Sequence, residues 1–193
     1  MRASTLLTAA LVAIVASHAT PSRAARPDIA VAAGRTAAVA GEPDEGGASL
    51  SLALLWPVED HFRIGLMALA DDLGQEHGRL LGPGGVDLGP VPGLHRAMMA
   101  GVWRMEAHLP AAGAYDPFLM ATWGAYRVSD DLRGASTSKS VAAGFGLGLG
   151  LVRRLGGSQA AGITARYQQL SRGTAQRYLS VAVEWRWRAS ATE

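Results

Sequence analysis

Between Ala142 and Val152 the chain reads AAGFGLGLGLV, with Phe145, Leu147, Leu149 and Leu151 on one parity and Gly144, Gly146, Gly148 and Gly150 on the other. A helix would scatter the four large residues around its circumference, whereas a strand sets them all on one face. A solvent face gains little from four alternating glycines, but a crowded interior gains room. The segment therefore predicts a strand whose leucines face lipid and whose glycines face a filled space.

The alternation recurs along the chain, and eight strands are expected at about 28–38, 48–56, 61–70, 95–107, 116–127, 139–152, 159–169 and 177–188. The last is the clearest, with Leu179, Val181, Val183, Trp185 and Trp187 opposite Tyr178, Ser180, Glu184, Arg186 and Arg188. Ile163, Ala165 and Tyr167 oppose Thr164, Arg166 and Gln168, and Phe62, Ile64 and Leu66 oppose Arg63, Gly65 and Met67. Met99, Trp103 and Met105 oppose Arg96, Arg104 and Glu106, although Met98 and Val102 blur the pattern, as Leu55 does in the second strand. Both parities of the fifth strand carry large residues, and the first is mostly alanine. The fold class expected is all-β, an eight-stranded antiparallel up-and-down transmembrane β-barrel.

Connections of alternating length agree with that topology. The links at 57–60, 108–115 and 153–158 are compact, whereas Asp71 to Leu94 is a loop of 24 residues with seven glycines and three prolines. An N-terminus on the periplasmic side puts the compact links there and the long loop outside the cell. Trp56, Phe62, Trp185 and Trp187 then fall near periplasmic strand ends and Tyr126, Tyr167 and Tyr178 near external ones, as two aromatic girdles. No later segment has the run of apolar residues that a membrane helix requires.

The N-terminus carries an export signal. Arg2 supplies a short positive region, Leu6 to Val15 an apolar stretch, and Ser22-Arg23-Ala24 a small-x-small cleavage site. A signal peptide over 1–24 and a barrel domain over 25–193 are expected. The absence of cysteine excludes disulfides and thiol chemistry.

Charge belongs inside such a barrel. Near mid-membrane on the lipid face, Arg63 or Arg166 would each cost about 2–4 kcal/mol. Turned inward they meet acidic residues, so an interior structural network of Arg63, Arg104, Glu106, Arg166, Glu184 and Arg186 is expected, with Asp71 as a further partner. The 18 basic residues barely exceed the 16 acidic ones and form no basic run with interleaved aromatics, which argues against nucleic acid as a partner.

With these residues in view, the stretch from Asp28 to Arg188, and above all Ser140 through YLSVAVEWRWR, resembles the eight-stranded OmpA-like and Opa-like transmembrane domains of bacterial outer-membrane proteins. It departs from them in ending on Ala189-Ser190-Ala191-Thr192-Glu193 after Arg188, where such proteins commonly end on an aromatic residue read by the assembly machinery. No peptidoglycan-binding domain is expected after Trp187. The resemblance implies a monomeric barrel of the cell outer membrane with a structural or surface-interaction role. Its implied partners are outer-membrane lipid and lipopolysaccharide, the assembly machinery, and an extracellular ligand reached through loop 71–94. The alternatives are a lipid A-modifying enzyme, a small gated pore and an exported soluble lipocalin-like barrel.

No catalytic, cofactor or metal site is expected. His61, His77, His95 and His108 find no Ser/His/acid set. Asp71, Asp72, Glu76 and His77 have neither calcium-loop nor zinc spacing. The glycines of 144–150 lack the geometry of a nucleotide loop and the helix that should follow one.

Overall fold

Apolar side chains at every second position form strands that bury only one face, and here the buried face is the one that carries the charged residues. The computed structural model describes residues 27–40, 46–75, 78–81, 83, 87–91, 93–110, 113–132, 136–171 and 176–188. The expected signal peptide at 1–24 lies outside the described residues. The strands are β1 (Asp28–Ala40), β2 (Gly47–Glu59), β3 (Phe62–Gln75), β4 (Gly78–Leu81), β5 (Asp87–Val91), β6 (Leu94–His108), β7 (Tyr115–Leu132), β8 (Ser136–Gly156), β9 (Gln159–Ser171) and β10 (Gln176–Trp187). Eight of them close an antiparallel barrel in the order β1-β10-β9-β8-β7-β6-β3-β2, while β4 and β5 pair separately.

The register fixes how tightly the barrel winds. Paired residues followed from Asp28 through Leu55, Gly65, Arg104, Thr122, Gly146, Gln168 and Tyr178 return to β1 at Ala38, ten residues beyond the start. Such a stagger over eight strands inclines them by roughly 35–45° and leaves an interior that side chains fill.

Leu147 is 59% exposed and Val183 64%, whereas Glu106 and Arg186 are fully buried. A soluble barrel has the opposite polarity. A continuous apolar exterior of this extent requires lipid. Leu147 lies in the middle of the outward apolar run of β8, so Leu147→Arg is expected to destabilise the barrel by about 2–4 kcal/mol in urea titrations in vesicles. Lys139, outward and exposed on the same strand, stands beyond that run.

Three differences from the expected strands have physical causes. Strands β7 and β8 continue to Leu132 and from Ser136, because backbone ladder bonds hold the polar segments Arg127–Asp131 and Ser136–Ser140 where no apolar alternation marks them. Strands β4 and β5 fall inside the segment expected to be a loop, since Gly89 and Pro90 conceal the period of a strand. Tyr126 and Tyr178 are buried inside the barrel, so they belong to no lipid-facing girdle.

The glycines of β8 do provide space, and the adjacent strand takes it. Phe118, Met120 and Thr122 of β7 pair with Gly150, Gly148 and Gly146. A Cβ at Gly146 would stand 2.6 Å from Thr122 Oγ1, and one at Gly150 would collide with the Phe118 ring.

Candidate functional site

The lumen is layered along the barrel axis. Nearest the compact turns lie ion pairs brought together by strand ends. Arg63 of β3 meets Asp28 of β1 at 3.0 Å and contacts His108 Nε2. His108, the last residue of β6, bonds through Nδ1 to Asp116 of β7 at 2.6 Å and through Nε2 to Glu106 at 3.1 Å. Asp116 also accepts from Arg188, just past β10.

One layer deeper, two acids and two arginines from β6 and β10 form a closed cluster. Arg186 donates from Nη1 and Nη2 to the two oxygens of Glu106, both at 2.8 Å, and from Nε to Glu184 at 2.6 Å. Arg104 Nη2 reaches Glu106 at 2.5 Å and Glu184 at 2.8 Å. The four formal charges cancel, and each carboxylate faces both guanidiniums. Phe118, seated against Gly150, stacks beneath them, with Arg186 Cζ 4.4 Å and Arg104 Cζ 5.9 Å from its centroid.

Of the six expected network residues, Arg104, Glu106, Glu184 and Arg186 therefore meet in one cluster. Arg63 joins it through His108. Arg166 stands apart, with Asp71 at 3.5 Å, and Asp71 is anchored by Ser49 Oγ at 2.6 Å. The sequence found no partners for His108 and did not single out Asp28 and Asp116, which are the first and second residues of their strands. Their inward parity beside an apolar run was the available signal.

Toward the loops an apolar layer follows, and beyond it Arg96 of β6 pairs with Asp130 of β7 at 2.6 Å. Leu69, Leu73, Met98, Val128, Leu170, Tyr126 and Tyr178 belong to one buried cluster. Met98, which blurred the sequence pattern, points inward into this layer. Between it and the ion pairs, Ser51, Thr164, Ser180 and Arg166 line a space of about 10 Å³, at the threshold for a single water molecule.

At the turn end a cleft of about 280 Å³ opens, with Asp60, His61, Arg63, His108, Asp116, Arg154 and Arg188 on its walls. Backbone bonds from His108 N to His61 O (2.7 Å), Arg154 N to Ala114 O (2.8 Å) and Arg188 N to Ser158 O (2.6 Å) knit its rim.

Neither a protein-family model nor a curated protein matches the chain. Solved structures do. Neisserial surface protein A superposes with a TM-score of 0.64 at 16% identity, over 84% of this chain and 96% of that one. A major outer membrane protein of Thermus thermophilus gives 0.55 at 12% identity, over 84% and 99%. The N-terminal β-barrel domain of Pseudomonas aeruginosa OprF gives 0.51 at 11% identity, over 84% and 99%. This is the fold of the small outer-membrane β-barrels.

The interior of this barrel is packing and ion pairing. His108 is held by Glu106, Asp116 and Arg63, and none of them carries a hydroxyl or thiol that the imidazole could activate. His95 pairs with Asp72 at 3.1 Å on the outer face, whereas Asp71 points into the lumen, so the Asp-Asp pair does not converge on one site. Glu76 and His77 lie outside the described residues. Among the described residues no group of three or more His, Asp or Glu side chains is arranged to hold a metal.

Proposed function

We propose that this protein resides in the outer membrane of a Gram-negative-type bacterium as a non-catalytic, monomeric barrel that presents a contact surface at its loop end. The N-terminus and compact turns face the periplasm, and β4, β5 and the β7–β8 hairpin face outward from the cell. Outer-membrane lipid and lipopolysaccharide surround the apolar belt, and the assembly machinery inserts it after removal of the signal peptide at 1–24. The interior lattice of Arg63, Arg104, Glu106, Arg166, Glu184 and Arg186 is structural.

One observation carries the contact surface. Strands β7 and β8 pair as far as Leu132 and Ser136, but β9 leaves β8 at Ala143, opposite Ser171. Residues 136–142 therefore pair with β7 alone and present a free backbone edge among the described residues. A free edge is a template for an added strand. Lys139 and the flanking serines keep that edge polar, so it favours a polar extended segment over self-association. The filled lumen and its apolar layer oppose conduction, which disfavours the small-pore reading.

Protease accessibility on intact cells, combined with membrane fractionation, tests both location and topology. The expected result is cleavage within 76–94 and around 132–136 from outside, with the barrel strands protected. Recovery in the soluble periplasmic fraction, or cleavage only after the outer membrane is breached, overturns the reading.

A further inference from the structure

The turn-end cleft holds guanidinium donors that the ion-pair lattice behind it does not use, although Arg63 pairs with Asp28 and Arg188 with Asp116. Its walls carry the guanidiniums of Arg63, Arg154 and Arg188 and the imidazoles of His61 and His108 beside the carboxylates of Asp60 and Asp116. Asp116 is already shared between His108 and Arg188. Arg188 Nε is buried without an acceptor, and Arg154 is exposed and in no ion pair among the described residues. Planar guanidinium forks converging on one opening suit an oxyanion, which accepts two parallel hydrogen bonds from each.

We propose that this cleft is a binding site for an oxyanionic group, a phosphate or a carboxylate, carried by a molecule on the turn-end side of the membrane. Its volume of about 280 Å³ lies at the lower edge of small-molecule sites, so it admits the charged end of a ligand. Arg154 and Arg188 grip the group directly. Arg63 and His108 form the floor, fixed by Asp28 and Glu106 beneath them. The site is independent of the loop-end surface, because it lies at the opposite mouth of the barrel.

The test is titration of the folded mature protein in detergent with sodium phosphate and, separately, sodium acetate, against sodium chloride at matched ionic strength. Backbone amide shifts in NMR spectra provide the readout. Saturable shifts confined to residues around His61, Tyr115 and Arg188 are expected, and the anion that saturates first identifies the source as phosphate or carboxylate. Arg154→Ala is expected to weaken binding by about tenfold or more with unchanged thermal unfolding. Arg127→Ala, at the loop end, is expected to leave binding unaltered. Shifts no larger than those with chloride, or the same saturation in the Arg154→Ala protein, overturn the proposal.

Discussion

Replacing Glu106 with alanine is expected to abolish the heat-resistant folded form of the barrel on gels and to lower its urea midpoint sharply. Glu106 accepts from both terminal nitrogens of Arg186, at 2.8 Å each, and forms an ion pair with Arg104 at 2.5 Å, with no exposure to solvent. Without it, two buried guanidiniums share Glu184 alone, and an uncompensated charge remains buried in the lumen. Breaking a buried pair in this way costs about 3–5 kcal/mol, a large part of the roughly 5–15 kcal/mol that holds a typical fold together. The double variant Glu106→Leu/Arg186→Met is expected to recover most of that loss, because Arg104 and Glu184 remain as a neutral pair 2.8 Å apart. A single variant as stable as the parent would mean that the lattice contributes nothing to folding. A double variant no better than the single would mean that the side chains matter for their shape and not for their charge.

The sequence made the belt legible and left the partners dark, and both outcomes follow from geometry. Alternation in β8 and β10 is clear because lipid covers one face of each strand, so every second residue between Phe145 and Leu151, and between Leu179 and Trp187, must be apolar. Where the strands rise beyond lipid, at Ser129–Leu132 and Ser136–Ser140, that requirement ends and the ladder continues unmarked. Pairing inside the lumen depends on the stagger of the whole barrel. Arg104 finds Glu184, and Arg186 finds Glu106, each across 80 positions of sequence. Parity places those groups inward, but only the ten-residue shear decides which of them meet. The same shear sends Arg166 to Asp71 and brings Asp28, His108 and Asp116 together at one mouth. Tyr126 and Tyr178 illustrate the remaining ambiguity, since their position near strand ends suggested a girdle whereas their parity puts them in the apolar layer.

The glycine ladder of β8 supplies the second large effect. Gly148→Leu is expected to prevent closure of the barrel, with loss of the folded gel band and of protease protection. A Cβ at Gly148 would lie 2.5 Å from the Ala165 carbonyl oxygen of β9 and 2.8 Å from Met120 Cε of β7, and leucine adds three more carbons beyond it. Met120 is flexible and can yield, but the Ala165 carbonyl is backbone of the strand paired with β8 and cannot move without breaking that ladder. Gly150→Ala is the milder form of the same test. Its methyl group would displace the Phe118 ring from beneath Arg186 and Arg104, at an expected cost of about 1–3 kcal/mol from overpacking. Gly101 provides the control, because it lies on the outer face of β6 with nothing within 4 Å of the position its Cβ would take. Gly101→Ala is therefore expected to be neutral or slightly stabilising, since alanine restricts the unfolded chain without meeting a neighbour. Equal losses at Gly101 and Gly150 would mean that these glycines serve backbone curvature throughout the barrel. A loss confined to Gly148 and Gly150 would mean that the ladder is the socket into which the side chains of β7 pack, and that the ion-pair cluster rests on it.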